Sequence, residues 1–287
     1  MIRTLKNYLS LVKFSHTVFA LPFAAIGYTL GAIQPDSHPD VWLLLKVILC
    51  MVLARTSAMA FNRWADRAID AKNARTKVRE IPAGTISAGA ALSLVILSSV
   101  LFVLTTYFIN PICFYLSPVA LLVVLGYSYT KRFTWLCHLV LGLGLSLAPI
   151  GAYLAITSRF DWLPLFFSFT VITWVSGFDI IYALQDDEFD KSEKLYSIPT
   201  FFGRKNALIF SSVLHFLSIL FVIVAGIEGT FGNLYWVGAA LFAALVIYQH
   251  TLIKPDDLSK VNLAFFTTNG IASIVFATFV VAASVWH

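Results

Sequence analysis

The stretch Arg55-Thr56-Ser57-Ala58-Met59-Ala60-Phe61-Asn62-Arg63-Trp64-Ala65-Asp66-Arg67-Ala68-Ile69-Asp70 begins deep inside an apolar run and ends in charge. The run opens near residue 41 and is long enough to cross a bilayer, which takes about 20 apolar residues. At 100° per residue, with Arg55 at zero, Asn62 falls at about −20°, Asp66 at about +20° and Asp70 at about +60°. One polar stripe is therefore expected along a membrane helix and out of its end. An arginine inside such a span is costly and faces a partner or a wet cavity.

The rest of the chain fits that frame. Of 287 residues, 59% are hydrophobic and only 12% charged, and the mean hydropathy is +0.83. A soluble domain carries about 25% charge. That composition excludes an ordinary soluble enzyme, a disordered chain and a secreted disulfide scaffold. The apolar runs are unbroken rather than alternating, which argues for helices and against a membrane β-barrel. Cys50, Cys113 and Cys137 are odd in number, lie in apolar stretches and show no metal spacing, so they read as small buried hydrophobes.

Nine candidate spans follow, at 14–33, 41–64, 85–108, 111–129, 134–156, 162–184, 204–226, 231–252 and 261–285. The fold class is all-α integral membrane, and residues 1–287 are read as a single transmembrane domain. With nine spans, all of the 20 basic residues except Lys46, Arg55 and Arg159 fall on one side. That side, with the N-terminus and the long polar loops, is expected to be cytoplasmic. The net charge of +5 then reports topology, and no nucleic-acid module is present.

Nine of the 15 acidic residues sit in two windows. The first holds Asp66, Asp70 and Glu80. The second reads Asp179-Ile180-Ile181-Tyr182-Ala183-Leu184-Gln185-Asp186-Asp187-Glu188-Phe189-Asp190, with Glu193 beyond it. Each window places an Asp pair at i, i+4 beside a deeper polar group, at the ends of spans two and six. This is a faint sign of internal repetition. Two such pairs brought together repel unless cations lie between them. Hard carboxylate oxygens suit Mg²⁺, which completes its shell with water and substrate phosphates. The two windows read as a magnesium–diphosphate cradle at a membrane surface. Asp187, Glu188 and Glu193 read as neutralising the basic loops, and Asp179 with Arg55 as a possible ion pair between helices.

At these residues the chain resembles the UbiA family of intramembrane aromatic prenyltransferases. Asn62, Asp66 and Asp70 match its N-x-x-x-D-x-x-x-D signature, and Asp186 and Asp190, after Tyr182-Ala183, match its D-x-x-x-D signature. Tyr129 to Thr134, Arg75-Thr76 with Arg79 to Gly84, and Ser197 to Thr200 with Gly203 are similar to its loops. The resemblance implies about nine helices around a central cavity with a cytoplasmic cap. It implies Mg²⁺-dependent transfer from a polyprenyl diphosphate to an aromatic acid acceptor, in quinone synthesis in the bacterial cytoplasmic membrane. Asp66, Asp70, Asp186 and Asp190 would carry the metal and diphosphate, with Asn62 in support. Arg55, Arg79, Lys131 and Arg132 would bind diphosphate or the acceptor carboxylate, and Tyr182 would contact substrate.

The acceptor stays open between 4-hydroxybenzoate (ubiquinone synthesis) and 1,4-dihydroxy-6-naphthoate (menaquinone synthesis). Phrases such as Gly177 to Asp186 resemble one bacterial branch of the family. Asp179, His16, His138 and released pyrophosphate are the candidates for the base. Tyr127, Tyr129, Tyr153, Trp174, Phe178 and Tyr182 are candidates to face an allylic cation. A proton- or cation-coupled transporter is the alternative of another class.

Overall fold

The computed structural model describes residues 7, 8, 10–12 and 19–286. Helices α1 (Leu21–Ala32), α2 (Val41–Ala65), α3 (Arg67–Lys72), α4 (Ala88–Tyr107), α5 (Pro111–Thr130), α6 (Cys137–Thr157), α7 (Trp162–Ala183), α8 (Asp187–Ser192), α9 (Ile198–Glu228), α10 (Asn233–Leu252) and α11 (Asn269–Val285) make up the bundle. A 3-10 turn over Leu184–Asp186 joins α7 to α8, and a π turn over Leu263–Thr268 leads into α11. Among the described residues the only β-pairing is an isolated bridge between Lys254 and Asp257. Among the described residues eight helices are long and apolar enough to cross a membrane, and α1 is a shorter apolar one. The chain is an integral membrane protein. The start of the first expected span, with Lys13 and His16, lies outside the described residues, as do Arg3 and Lys6.

Local chemistry sets the helix starts. Asp40, Ser87 and Asn110 each accept a backbone N–H from the first turn, at 2.7, 3.1 and 2.9 Å, which satisfies donors that a helix start leaves open. Asn110 also donates to the Leu154 carbonyl at 2.8 Å, so one residue both separates α4 from α5 and pins the turn to α6. The seventh span was expected from 204, and α9 begins earlier, at Ile198, because Ser197 and Thr200 close a capping box. Gly203, at φ 79° and ψ 163°, breaks the helix between that first turn and the apolar stretch. Only glycine adopts this conformation without strain.

The aromatic core sits among α1, α7, α10 and α11, where the rings of Phe23, Trp174, Phe242 and Phe276 pack against one another, tilted or edge-on, at centroid distances of 5.0–6.1 Å. Helix α1 lies so close to α6 that a Cβ on Gly27 would stand 1.9 Å from the Pro149 carbonyl oxygen. Small residues at such crossings let membrane helices pack by dispersion, since lipid offers no hydrophobic drive between them. Helices α2, α4 and α5 pack on one another, joined by the buried Ser57–Ser98 hydroxyl pair at 2.8 Å. Between this layer and the aromatic half runs a cavity.

Candidate functional site

The cavity has a volume of about 880 Å³. Its wall follows α6 from Cys137 to Ala155, about 27 Å at 1.5 Å per residue. Val47, Met51, Ile109, Leu116 and Leu154 line its deep part. At the other end the wall turns polar, with Asn62, Arg63, Arg75, Arg79, Lys131 and Asp190.

That polar end is built by two breaks of the same kind. The polar stripe was expected to follow one continuous helix, but α2 stops at Ala65 and α3 restarts at Arg67, with Asp66 as the junction. In the second window α7 stops at Ala183, and Asp186 is the junction before α8. Each junction is followed by a helix of six residues whose fourth residue is the second aspartate, Asp70 or Asp190. The break turns each pair from a line along a span into a corner at the end of one. The i, i+4 spacing survives, and the internal repetition is plainer in the backbone than in the sequence.

Asp66 is 1% exposed. Lys131 Nζ lies 2.6 Å from its Oδ2, Arg132 Nη2 lies 3.4 Å from its Oδ1, and Asn62 donates to Oδ2 at 3.2 Å. Asp70 is buried and accepts from Arg79 at 2.7 Å through Oδ1. Its Oδ2 is buried with no hydrogen-bond partner among the described residues. Asp186 accepts from Arg75 Nε at 3.0 Å through Oδ1 and from Arg75 Nη2 through Oδ2, and Asn73 adds a bond at 3.0 Å. Burial alone would lower the Arg75 pKa. Its interactions with Asp186 and Tyr182 together more than reverse that, and the net shift is upward.

The two windows meet. Asn73 and Arg75, which follow the first pair, hold Asp186 of the second. Lys72 bonds Glu193 at 2.6 Å. Lys131, on Asp66, accepts the Tyr196 backbone N–H at 2.7 Å through its carbonyl. Asp187 and Glu188 pair with Arg204 at 2.8 and 3.3 Å.

The expected residues divide by position. Arg55, Asn62, Arg79, Lys131, Asp179, Tyr182 and Asp190 line the cavity. Asp66, Asp70 and Asp186 stand directly behind the basic residues that line it, and Arg132 lies beside Asp66, over the Tyr129 ring at 4.8 Å. Asp179 is held by His138 at 2.7 Å, in place of the ion pair with Arg55. Of the aromatics, Tyr127, Phe178 and Tyr182 line the cavity. Trp174 and Tyr153 are packed in the core, with their polar atoms on Asn269 and Asp161. Tyr129 packs edge-on against Phe61. Arg75 and Asn73 were not singled out as site residues. Their partners are more than 100 residues away, and the only signal was that Arg75 belongs to a loop resembling the family's.

Among the described residues no three His, Cys, Asp or Glu side chains form a metal centre by themselves. The arrangement instead offers three cationic side chains, Arg75, Arg79 and Lys131, to the cavity, each backed by a carboxylate. Such a mouth suits an anionic head, and the apolar depth below it suits a hydrocarbon tail.

Residues 20–271 match the UbiA prenyltransferase family. A 4-hydroxybenzoate octaprenyltransferase of Vibrio campbellii is 29% identical over 93% of this chain and 90% of its own length. One of Francisella tularensis subsp. novicida is 30% identical over 86% and 88%. Among solved structures, the apo UbiA homolog from Aeropyrum pernix K1 superposes with a TM-score of 0.84 at 29% identity, covering 93% of this chain and 97% of that one. A UbiA homolog from Archaeoglobus fulgidus, bound to GPP and Mg²⁺, shares the fold at a TM-score of 0.77 and 21% identity, over 97% and 99% of the two chains. The chain belongs to the UbiA prenyltransferase family.

Proposed function

We propose that this protein transfers a polyprenyl group from its diphosphate to 4-hydroxybenzoate, with Mg²⁺, in the bacterial cytoplasmic membrane. The observation that carries the reading is a single cavity with a cationic, carboxylate-backed mouth and an apolar depth, together about 27 Å along α6. A membrane lipid with a diphosphate head has that shape and that charge distribution. The names of the curated relatives supply the acceptor. Membership in a prenyltransferase family sets the carrier reading aside.

Arg75, Arg79 and Lys131 bind the diphosphate and stabilise the charge that grows on it as the allylic C–O bond breaks. Preorganised cations in a site shielded from water do this with little reorganisation. Asp66, Asp70, Asp186 and Asp190 would hold magnesium. The unpartnered, buried Oδ2 of Asp70 and the all-oxygen donor set fit an ion that takes few protein ligands and fills its shell from phosphate and water. When bound, the metal supplies a Lewis acid for the leaving diphosphate. Tyr127, Phe178 and Tyr182 turn aromatic surfaces toward the allylic carbon, which favours positive charge there. Arg55 lies seven residues deeper on α2 than Asn62, about 10 Å along the helix, beyond the reach of the diphosphate groups. It is placed for the acceptor carboxylate.

The direct test supplies purified membranes with a polyprenyl diphosphate and either 4-hydroxybenzoate or 1,4-dihydroxy-6-naphthoate, with Mg²⁺ or with EDTA. The expected product is prenylated 4-hydroxybenzoate, identified by mass and absent with EDTA. A product formed only from the naphthoate would move the acceptor to the menaquinone route. No prenylated product from either would overturn the reaction.

A further inference from the structure

His138, the second residue of α6, is 3% exposed, and its Nδ1 lies 2.7 Å from Asp179 Oδ2. Its other nitrogen, Nε2, accepts the backbone N–H of Ile198 at 3.3 Å. Ile198 is the first residue of α9, so that N–H is one of the donors a helix start leaves unpaired. The other early donors are accounted for, since Pro199 has none and the Thr200 N–H goes to Ser197 Oγ at 3.2 Å. A ring nitrogen that accepts an N–H bears a lone pair. The proton of the neutral ring is therefore on Nδ1 and is donated to Asp179. The start of α9 therefore selects the histidine tautomer that donates to Asp179.

Asp179 also lines the cavity, with a side chain 21% exposed. With Oδ2 held by His138, Oδ1 is the oxygen left to meet a ligand. Asp179 lies four residues before α7 ends at Ala183, about 6 Å below that end of the helix, on the side of the diphosphate groups where an acceptor ring would lie.

Resting on the prenyl-transfer reading above, we propose that Asp179 is the base that takes the acceptor's hydroxyl proton. His138 is the positioning residue that keeps Asp179 Oδ1 turned into the cavity. Asp179 Oδ1 receives the phenolic proton. The ring carbon next to that hydroxyl forms a bond to C1 of the prenyl group. The C1–O bond breaks, and its electron pair leaves with diphosphate. The hydrogen on the alkylated ring carbon departs as a proton to diphosphate, its electron pair restores the aromatic ring, and Asp179 returns the first proton to the phenol oxygen. A well-placed base of this kind contributes about 10²–10⁴-fold.

The test compares full-length His138→Leu, His138→Asn and Asp179→Asn with the unaltered protein. In His138→Asn the side-chain N–H takes the place of Nδ1–H. His138→Leu and Asp179→Asn are expected to lower kcat about 100-fold and leave the KM for prenyl diphosphate within about twofold. His138→Asn is expected to recover most of the lost rate. Replacing 4-hydroxybenzoate with its more acidic 3-fluoro analogue, at a pH where that phenol is ionised, is expected to restore much of the rate in His138→Leu and Asp179→Asn. A merely structural role would give none of that rescue. Equal loss in the Leu and Asn variants of His138, or no gain with the ionised acceptor, would overturn the inference while wild-type transfer still upheld the reaction. Failure of the wild type to prenylate any phenol would remove both. Should His138→Leu not fold, the same rescue is read on Asp179→Asn, a near-isosteric change.

Discussion

Arg75 grips Asp186 with two guanidinium nitrogens, so the loop that follows the first acidic pair is clamped onto the second. The same guanidinium reaches the Tyr182 hydroxyl at 3.1 Å and lies 5.5 Å from the centre of its ring. This contact makes two windows more than 100 residues apart into one site. A fork of planar donors is what the geometry uses, and lysine cannot reproduce it. Arg75→Lys is expected to raise the KM for prenyl diphosphate about tenfold, and Arg75→Leu more, both with smaller changes in kcat. Steady-state kinetics over donor concentration would show this, and an unchanged KM in Arg75→Leu would take Arg75 out of the site.

Asp66 and Asp186 each sit at a helix break that sets the corner for the second aspartate of the pair. Asp66→Ala and Asp186→Ala are expected to lower transfer by about 10²-fold or more, in line with losing a preorganised electrostatic group. Folded protein, followed by gel filtration and melting, should remain. Lys254 lies in the 253–260 loop, away from the cavity wall, and Lys254→Ala should be nearly silent. Full activity in both aspartate variants would remove the assignment.

Gly151 points to the tail. A Cβ built there would meet nothing within 4 Å, and the residue lines the cavity. A glycine inside a helix costs about 1 kcal/mol relative to alanine, and no packing partner requires this one. The missing side chain leaves room in the cavity. Gly151→Phe is expected to keep transfer from a ten-carbon donor within about threefold and to lower kcat/KM for a forty-carbon donor tenfold or more, since overfilling costs about 1–3 kcal/mol. Competition between the two donors in one reaction reads the ratio directly. An equal effect on both would place the tail elsewhere.

Gly27 is the opposite case. A Cβ at 1.9 Å from a backbone carbonyl oxygen has nowhere to go. Gly27→Ala is expected to destabilise the α1–α6 crossing by about 1–3 kcal/mol or more, seen as a lower melting temperature and poorer yield in detergent. Wild-type melting would mean that the two helices do not approach this closely.

Much of this molecule is legible in its residues because the signals are local. Long apolar runs give the spans, Asn110-Pro111 gives a tight turn, and matched D-x-x-x-D spacing marks two windows. The breaks at Asp66 and Asp186 were not legible, since no proline or glycine marks them and tertiary contacts from Lys131 and Arg75 hold the corners. Nor was the partner of Asp179. His138 reaches it from 41 residues away, and helical periodicity does not choose among distant partners. Arg79, Lys131 and Arg132 were expected as anion ligands, and in the resting site they are counter-ions of Asp70 and Asp66.

The most direct measurement of the shared site is a double-mutant cycle on magnesium-dependent binding. Calorimetry would follow an unreactive polyprenyl thiodiphosphate titrated, with Mg²⁺, into the unaltered protein, Asp70→Asn, Asp190→Asn and the double variant. If both pairs hold one magnesium diphosphate, each single change weakens binding, and the double change loses less than the sum, with a coupling of about 0.5–3 kcal/mol. Strict additivity, or affinities that ignore Mg²⁺ in all four proteins, would contradict a common site.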